Sequence, residues 1–217
     1  MFDTYTPAVS THGRYLIEPP GTEPAPVLVG FHGYAEDAEA QLGRLRTIPG
    51  VKSWLVVSIQ GLHRFYRGRD QAVVASWMTR QDRDVLIADN LAYVTAVLEE
   101  VRRHHKVTDV LVFAGFSQGV AMAFRAACLL HGRCTAVIAV GGDVPPECDR
   151  DALARIPVAL VGRGVRDDVY GEEQWNDDQS RLLAAGVDVR AMTFGCGHEW
   201  TGEVSEAAST LLALAQT

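Results

Sequence analysis

The chain has 217 residues, 47% of them hydrophobic and 22% charged, which suits one globular domain with a sizeable core. Its formal net charge of -7 argues against a nucleic-acid partner, which needs a basic face. No apolar run approaches a membrane span, and the first residues carry neither the basic start nor the apolar core of a signal peptide.

Short apolar runs alternate with helical patterns. Strands are predicted at 13–17, 26–31, 53–59, 109–116, 135–140, 157–161 and 187–194. Helices are predicted at 35–46, 82–105, 117–130, 151–154, 172–185 and 204–215. Several strands, such as Val110-Leu-Val-Phe113, are apolar on both faces, as parallel strands covered by helices are. The alternation predicts an α/β fold: one doubly wound, mostly parallel sheet of about seven strands, its first strand antiparallel at an edge. Residues 1–217 are expected to form a single domain with no cap. The stretch 61–77 is the longest without a pattern and is expected to be a functional or mobile loop.

Cys128, Cys134, Cys148 and Cys196 form no Cys-x-x-Cys pair and no zinc spacing. Free thiols in a cytoplasmic protein are expected, with no metal and no cofactor.

The most informative segment is Gly115-Phe116-Ser117-Gln118-Gly119, a G-x-S-x-G string between a predicted strand and a predicted helix. Chain direction there must reverse sharply, which exposes a serine Oγ at the sheet top. Such a serine needs a base and an orienting acid, carried on loops after later strands. The last strand runs into Gly195-Cys-Gly-His198, which makes His198 the candidate base. His104, His105 and His131 end helices, and His12 and His63 lie in turns. For the acid, Asp167, Asp168 and Asp143 all follow later strands and compete. Carboxyl ends of parallel strands share one edge, so these loops should converge. Two N–H donors must receive the developing oxyanion. The main-chain N–H of Gln118, at a helix start, is one. The N–H of Tyr34, in Phe31-His-Gly-Tyr34, is the other; His32 reads as a structural residue of that loop. Tyr34, Phe65, Tyr66, Trp77 and Trp200 are the candidate pocket residues.

Phe31-His-Gly-Tyr34 with Asp37, Trp77, Gly115-Phe-Ser-Gln-Gly119, Asp167-Asp-Val169 and Gly197-His198 together resemble the phospholipase/carboxylesterase family of α/β hydrolases, which includes acyl-protein thioesterases. The resemblance spans nearly the whole chain. It implies a lidless serine esterase with Ser117, Asp167 and His198 as triad, and Tyr34 and Gln118 as oxyanion donors. Its Asp-x-Val pattern favours Asp167 over the other two acids. The chain departs from the family at Val120, where a second glycine is common, and at Val161-Gly162, where His-Gly is usual. The acid loop is also two residues longer (Arg163 to Arg166), and the segment 58–67 lacks a proline-rich start.

The expected activity is hydrolysis of small carboxylic esters through an acyl-enzyme. Acyl-thioesterase or phospholipase-type activity on the same triad, a peptidase of the same fold and a catalytically idle binding protein are the alternatives. The expected partner is a small-molecule ester or thioester, with no nucleic acid and no membrane span; a homodimer contact through the aromatic loop is left open.

Overall fold

Alternation along the central strands decides the architecture. The computed structural model describes residues 2–216. In β2 (Ala25–Phe31), Val27, Val29 and Phe31 enter one hydrophobic cluster and Leu28 enters another. In β6 (Val107–Phe116), Leu111 and Phe113 join the first cluster, while Val112, Ala114 and Phe116 join the second. Strands buried on both faces require helices on both sides. The first cluster is closed by α2 (Arg83–His104), α3 (Gln118–Leu129), α4 (Arg150–Leu153) and α5 (Glu172–Ala184). The second is closed by α1 (Ala38–Arg46) and α6 (Gly202–Leu214).

The sheet adds β1 (Arg14–Glu18), β3 (Leu55–Gln60), β7 (Ala136–Val140), β8 (Val158–Gly164) and β9 (Asp188–Phe194). Its seven strands run in the order β1-β3-β2-β6-β7-β8-β9. Every neighbouring pair is parallel except β1 with β3, antiparallel at the edge as expected. The chain leaves β2 in one direction for β3 and returns on the other side for β6. The loops after β2 and β6 therefore diverge at a topological switch point, where open α/β sheets place their ligands. Phe31 is in register with Gly115 there, so the two loops begin side by side.

Two regions differ from the sequence expectation. The stretch 61–77 holds a hairpin, β4 (His63–Arg67) with β5 (Ala72–Ser76). It is fastened to the loop after β2 by main-chain bonds. Ala35 N–H donates to Ala75 O (3.0 Å), and Ala75 N–H donates to Glu36 O (2.7 Å). Further on, β8 continues through Arg163 and Gly164, which pair with Thr193 and Phe194. Half of the long acid loop is thus strand. The helix α1 starts at Ala38 because Asp37 caps it, accepting the Ala40 N–H at 2.8 Å.

The turn from β6 into α3 is packed to main-chain contact. A Cβ on Gly115 would lie 2.4 Å from Gly119 O, and one on Gly119 would lie 2.1 Å from Phe31 O. No side chain can yield there, because both obstacles are backbone. Gly119→Ala should therefore lower the free energy of urea unfolding by about 3 kcal/mol. A loss below about 0.5 kcal/mol would show that α3 does not rest on the end of β2.

Candidate active site

Ser117 follows the last residue of β6 and precedes the first of α3. Its φ of 52° lies in the left-handed region that side chains avoid. Two bonds hold it there. Its N–H donates to Val140 O (3.0 Å), and its carbonyl accepts the Val120 N–H (2.9 Å). Such strain persists only where surroundings over-determine it. Val120, the departure from the family pattern, is fully buried and packs against the loop after β7, where Gly142 leaves it room.

Beyond β8 the chain turns tightly, with Asp167 N–H donating to Gly164 O at 3.1 Å. This buries the Asp167 side chain, which is 1% exposed. Its Oδ1 accepts the N–H groups of Val169 and Tyr170, both at 2.9 Å. Its Oδ2 lies 2.9 Å from His198 Nδ1. A buried carboxylate with these donors acts as an acceptor, so it fixes the proton on Nδ1 and leaves Nε2 without one. The imidazole lies beside the Phe116 ring, centroids 5.0 Å apart. Of the three aspartates weighed from sequence, Asp167 is the one that meets His198; Asp168 and Asp143 are exposed.

Ser117 and His198 line one open cleft of about 350 Å³. Gly33, Tyr34, Glu36, Arg44, Phe116, Glu199 and Trp200 complete it. A larger cavity of about 470 Å³ lies at the opposite, amino-terminal ends of the strands, near Val27 and Arg133, and contains no nucleophile–base pair. The cleft is the candidate site by the residues it brings together rather than by size.

The loop after β2 supplies the cleft's second wall. His32 is fully buried and held on both ring nitrogens. Its Nε2 accepts the Gly61 N–H (2.9 Å), so its Nδ1 carries the proton and donates to Gly33 O (2.7 Å). Burial pushes its pKa below the usual histidine value, consistent with this neutral, structural role. The Gln118 side chain ties the elbow to the end of β5. It accepts the Trp77 N–H (3.0 Å) and donates to Met78 O (3.1 Å). The main-chain N–H groups of Tyr34 and Gln118 make no hydrogen bond among the described residues.

One pair at this wall was not foreseen from sequence. Glu36 Oε2 accepts the Gly33 N–H at 2.8 Å and Arg44 Nη1 at 2.7 Å, and Arg44 Nη2 binds the other oxygen. The guanidinium lies 4.2 Å from the centroid of the Phe116 ring. One ion pair therefore connects the loop of Tyr34 to the ring beside His198.

The pocket expectation divides. Tyr34, 62% exposed, and Trp200 line the cleft. Trp77 does not. It is fully buried, donates its indole N–H to His32 O (2.9 Å) and packs edge-on against Phe31. Phe65 is half-buried behind Tyr34, ring centroids 5.8 Å apart, and Tyr66 is exposed on the hairpin; neither lines the cleft. No cluster of three or more potential metal ligands occurs among the described residues. None of their helices is long and apolar enough to cross a membrane.

No family model and no curated protein sequence matches the chain. Solved structures match it over nearly its full length. A carboxylesterase from Mesorhizobium loti superposes with a TM-score of 0.74 at 22% identity, covering 93% of this chain and 94% of that one. Esterase PE8 gives 0.74 at 21% identity, covering 94% and 100%. Acyl-protein thioesterase 2 from Zea mays gives 0.69 at 18% identity, covering 95% and 100%. This chain has the α/β-hydrolase fold, with helices on both faces of the sheet and no cap domain among the described residues.

The Glu36–Arg44 pair makes a prediction with a definite sign. Burial raises the Glu36 pKa, but the Arg44 hydrogen bond and charge, with the Gly33 N–H, outweigh it and leave the value lowered. A carboxylate depressed on folding stabilises the fold above its unfolded pKa, and this is lost as pH falls through the folded value. Glu36→Gln should therefore melt lower than the wild type near neutral pH, with the gap closing below about pH 4. A gap in Tm that stays constant from neutral pH to about pH 3 would contradict this.

Proposed function

We propose that the chain is a serine carboxylesterase of the phospholipase/carboxylesterase type that hydrolyses small carboxylic esters through an acyl-enzyme on Ser117. The observation that carries this reading is the His198–Asp167 pair opening on the same cleft as a strained serine. The fold shared with esterases and an acyl-protein thioesterase supports it.

In this reading His198 Nε2 takes the Ser117 proton as Oγ bonds to the ester carbonyl carbon. The carbonyl oxygen becomes an oxyanion and is received by the N–H groups of Tyr34 and Gln118. The Gln118 donor is aided by the positive end of α3. Collapse of the intermediate breaks the carbon–oxygen bond, and His198 gives its proton to the departing alcohol. Water then attacks the acyl-enzyme by the same steps in reverse. Asp167 holds the ring with Nδ1 protonated and stabilises the imidazolium. The cleft is small, open and partly lined by the Glu36–Arg44 pair and Glu199, which favours small acyl groups over long hydrocarbon chains.

A thioester is the second reading, since the acyl-protein thioesterase likeness favours the same attack on a thiol leaving group. Hydrolysis of matched acetyl and butyryl esters, thioesters and anilides separates these readings from a peptidase. The expected order places esters first and anilides last. Ser117→Ala should fold normally and lose at least about 10⁴-fold in kcat. Asp167→Asn should lose about 10⁴-fold by presenting the wrong tautomer. Retained ester turnover in Ser117→Ala would overturn the assignment.

A further inference from the structure

The His198–Asp167 pair sits between two loops. One follows β8 and carries Asp167 itself. The other follows β7 and approaches from behind. A Cβ on Gly141 would lie 3.1 Å from His198 Cε1 and 3.4 Å from Asp167 Oδ2, and the Gly141 φ of 67° suits glycine. The position of the imidazole is therefore set by how both loops are held.

One carboxylate oxygen holds both. Asp178, on α5, is buried. Its Oδ2 accepts the hydroxyl of Tyr170 at 2.9 Å and the N–H of Val144 at 3.0 Å. Tyr170 is itself buried, and its N–H is one of the two donors to Asp167 Oδ1. Val144 lies three residues beyond Gly141 on the other loop. One turn along α5, Arg181 fastens the same segment by donating to Pro145 O (3.1 Å), Cys148 O (3.0 Å) and Val144 O. Arg181 and Asp143 are the charged groups that act on Asp178, while Arg163 and Asp143 act on Tyr170 together with Asp178. Burial first, and the Asp178 charge second, push the Tyr170 phenol up, which keeps its O–H as a donor.

We infer that Asp178 and Tyr170 form a buried brace that positions the Asp167 carboxylate against His198. Both are positioning residues, since neither lines the cleft. The catalytic consequence rests on the serine-esterase reading above; the geometric one does not. Asp178 receives two loops that are far apart in the chain, and removing either bond frees one wall of the His198 site. A carboxylate that served stability alone would affect melting and leave the His198–Asp167 bond as it is.

The test compares the full chain with Tyr170→Phe, Asp178→Ala and Asp178→Asn. Tyr170→Phe changes no shape, and Asn keeps one oxygen able to accept both donors. The first readout is the downfield proton resonance of the His198 Nδ1–H bond to Asp167, which needs no activity. It should be present in the wild type and Asp178→Asn, and broadened or lost in Tyr170→Phe and Asp178→Ala. The second readout is kinetic: with p-nitrophenyl acetate, Tyr170→Phe should lose about tenfold in kcat while KM stays within about twofold. Asp178→Asn should stay near wild type in both. The brace is overturned if the resonance is missing from the wild type. It is equally overturned if Tyr170→Phe keeps both the resonance and kcat and only melts lower. A wild type that turns over no ester but loses the resonance in Tyr170→Phe would sink the esterase reading and leave the brace standing.

Discussion

The approach of main chain to main chain around Ser117 is the constraint on which the rest of the structure depends. The serine is held in a backbone region costing on the order of 1–3 kcal/mol. It stays there because α3 cannot back away from β2 without opening the core, and cannot come closer because Phe31 O is already against Gly119. This contact lies at the switch point of the sheet, where the loops after β2 and β6 start in register. The fold thus brings the loop of Tyr34 and the start of α3 to the same cleft as the serine, without any long side chain spanning the gap. Glycine serves here because backbone must meet backbone.

Around that point the charged groups are held with partners. His32 is kept neutral by burial and satisfied on both nitrogens, so it adds no charge to this wall of the cleft. Glu36 faces Arg44, and the remaining Gly33 N–H takes up its acceptor capacity. Asp167 is matched by two N–H groups and the imidazole. In a region of reduced dielectric, an unmatched charge would be costly and would disturb Ser117 and His198. The cleft therefore has polar walls with little net charge, and its aromatic surface comes from Tyr34, Phe116 and Trp200.

Much of this was legible in the sequence, and the part that was not shares a physical reason. The inner strands β2, β3, β6, β7 and β8 announce themselves as apolar runs that need cover, while the edge strands β1 and β9 are read from their place in the alternation with helices; Ser117 and His198 stand out because each follows a strand in that alternation. The hairpin 63–76 was invisible because it has little core face of its own. Arg64, Phe65, Tyr66 and Arg67 show no period of two in hydrophobicity, and main-chain bonds to Ala35 and Glu36 hold the hairpin in place. As an aromatic near a loop, Trp77 reads from the sequence as a pocket residue. Its indole N–H found an acceptor in the interior at His32 O, which drew the ring inward. Glu36 with Arg44 and Tyr170 with Asp178 were both missed. Each pair is eight residues apart, joining a loop to the helix after it. Neither pair lies within one helix or one strand, so no periodicity connects its members. The long acid loop read from Arg163–Arg166 was half strand, because Arg163 and Gly164 continue the pairing of β8 with β9.

The proposed esterase activity requires Ser117 to be a nucleophile activated by His198. Exposing the chain to a fluorophosphonate, then mapping the modified peptide by mass spectrometry, measures this directly, since the reagent needs an activated serine and no knowledge of the natural substrate. A single stoichiometric adduct on Ser117 is expected, forming at least about 10³-fold more slowly in His198→Ala. An unmodified Ser117, or labelling at an equal rate without His198, would contradict it.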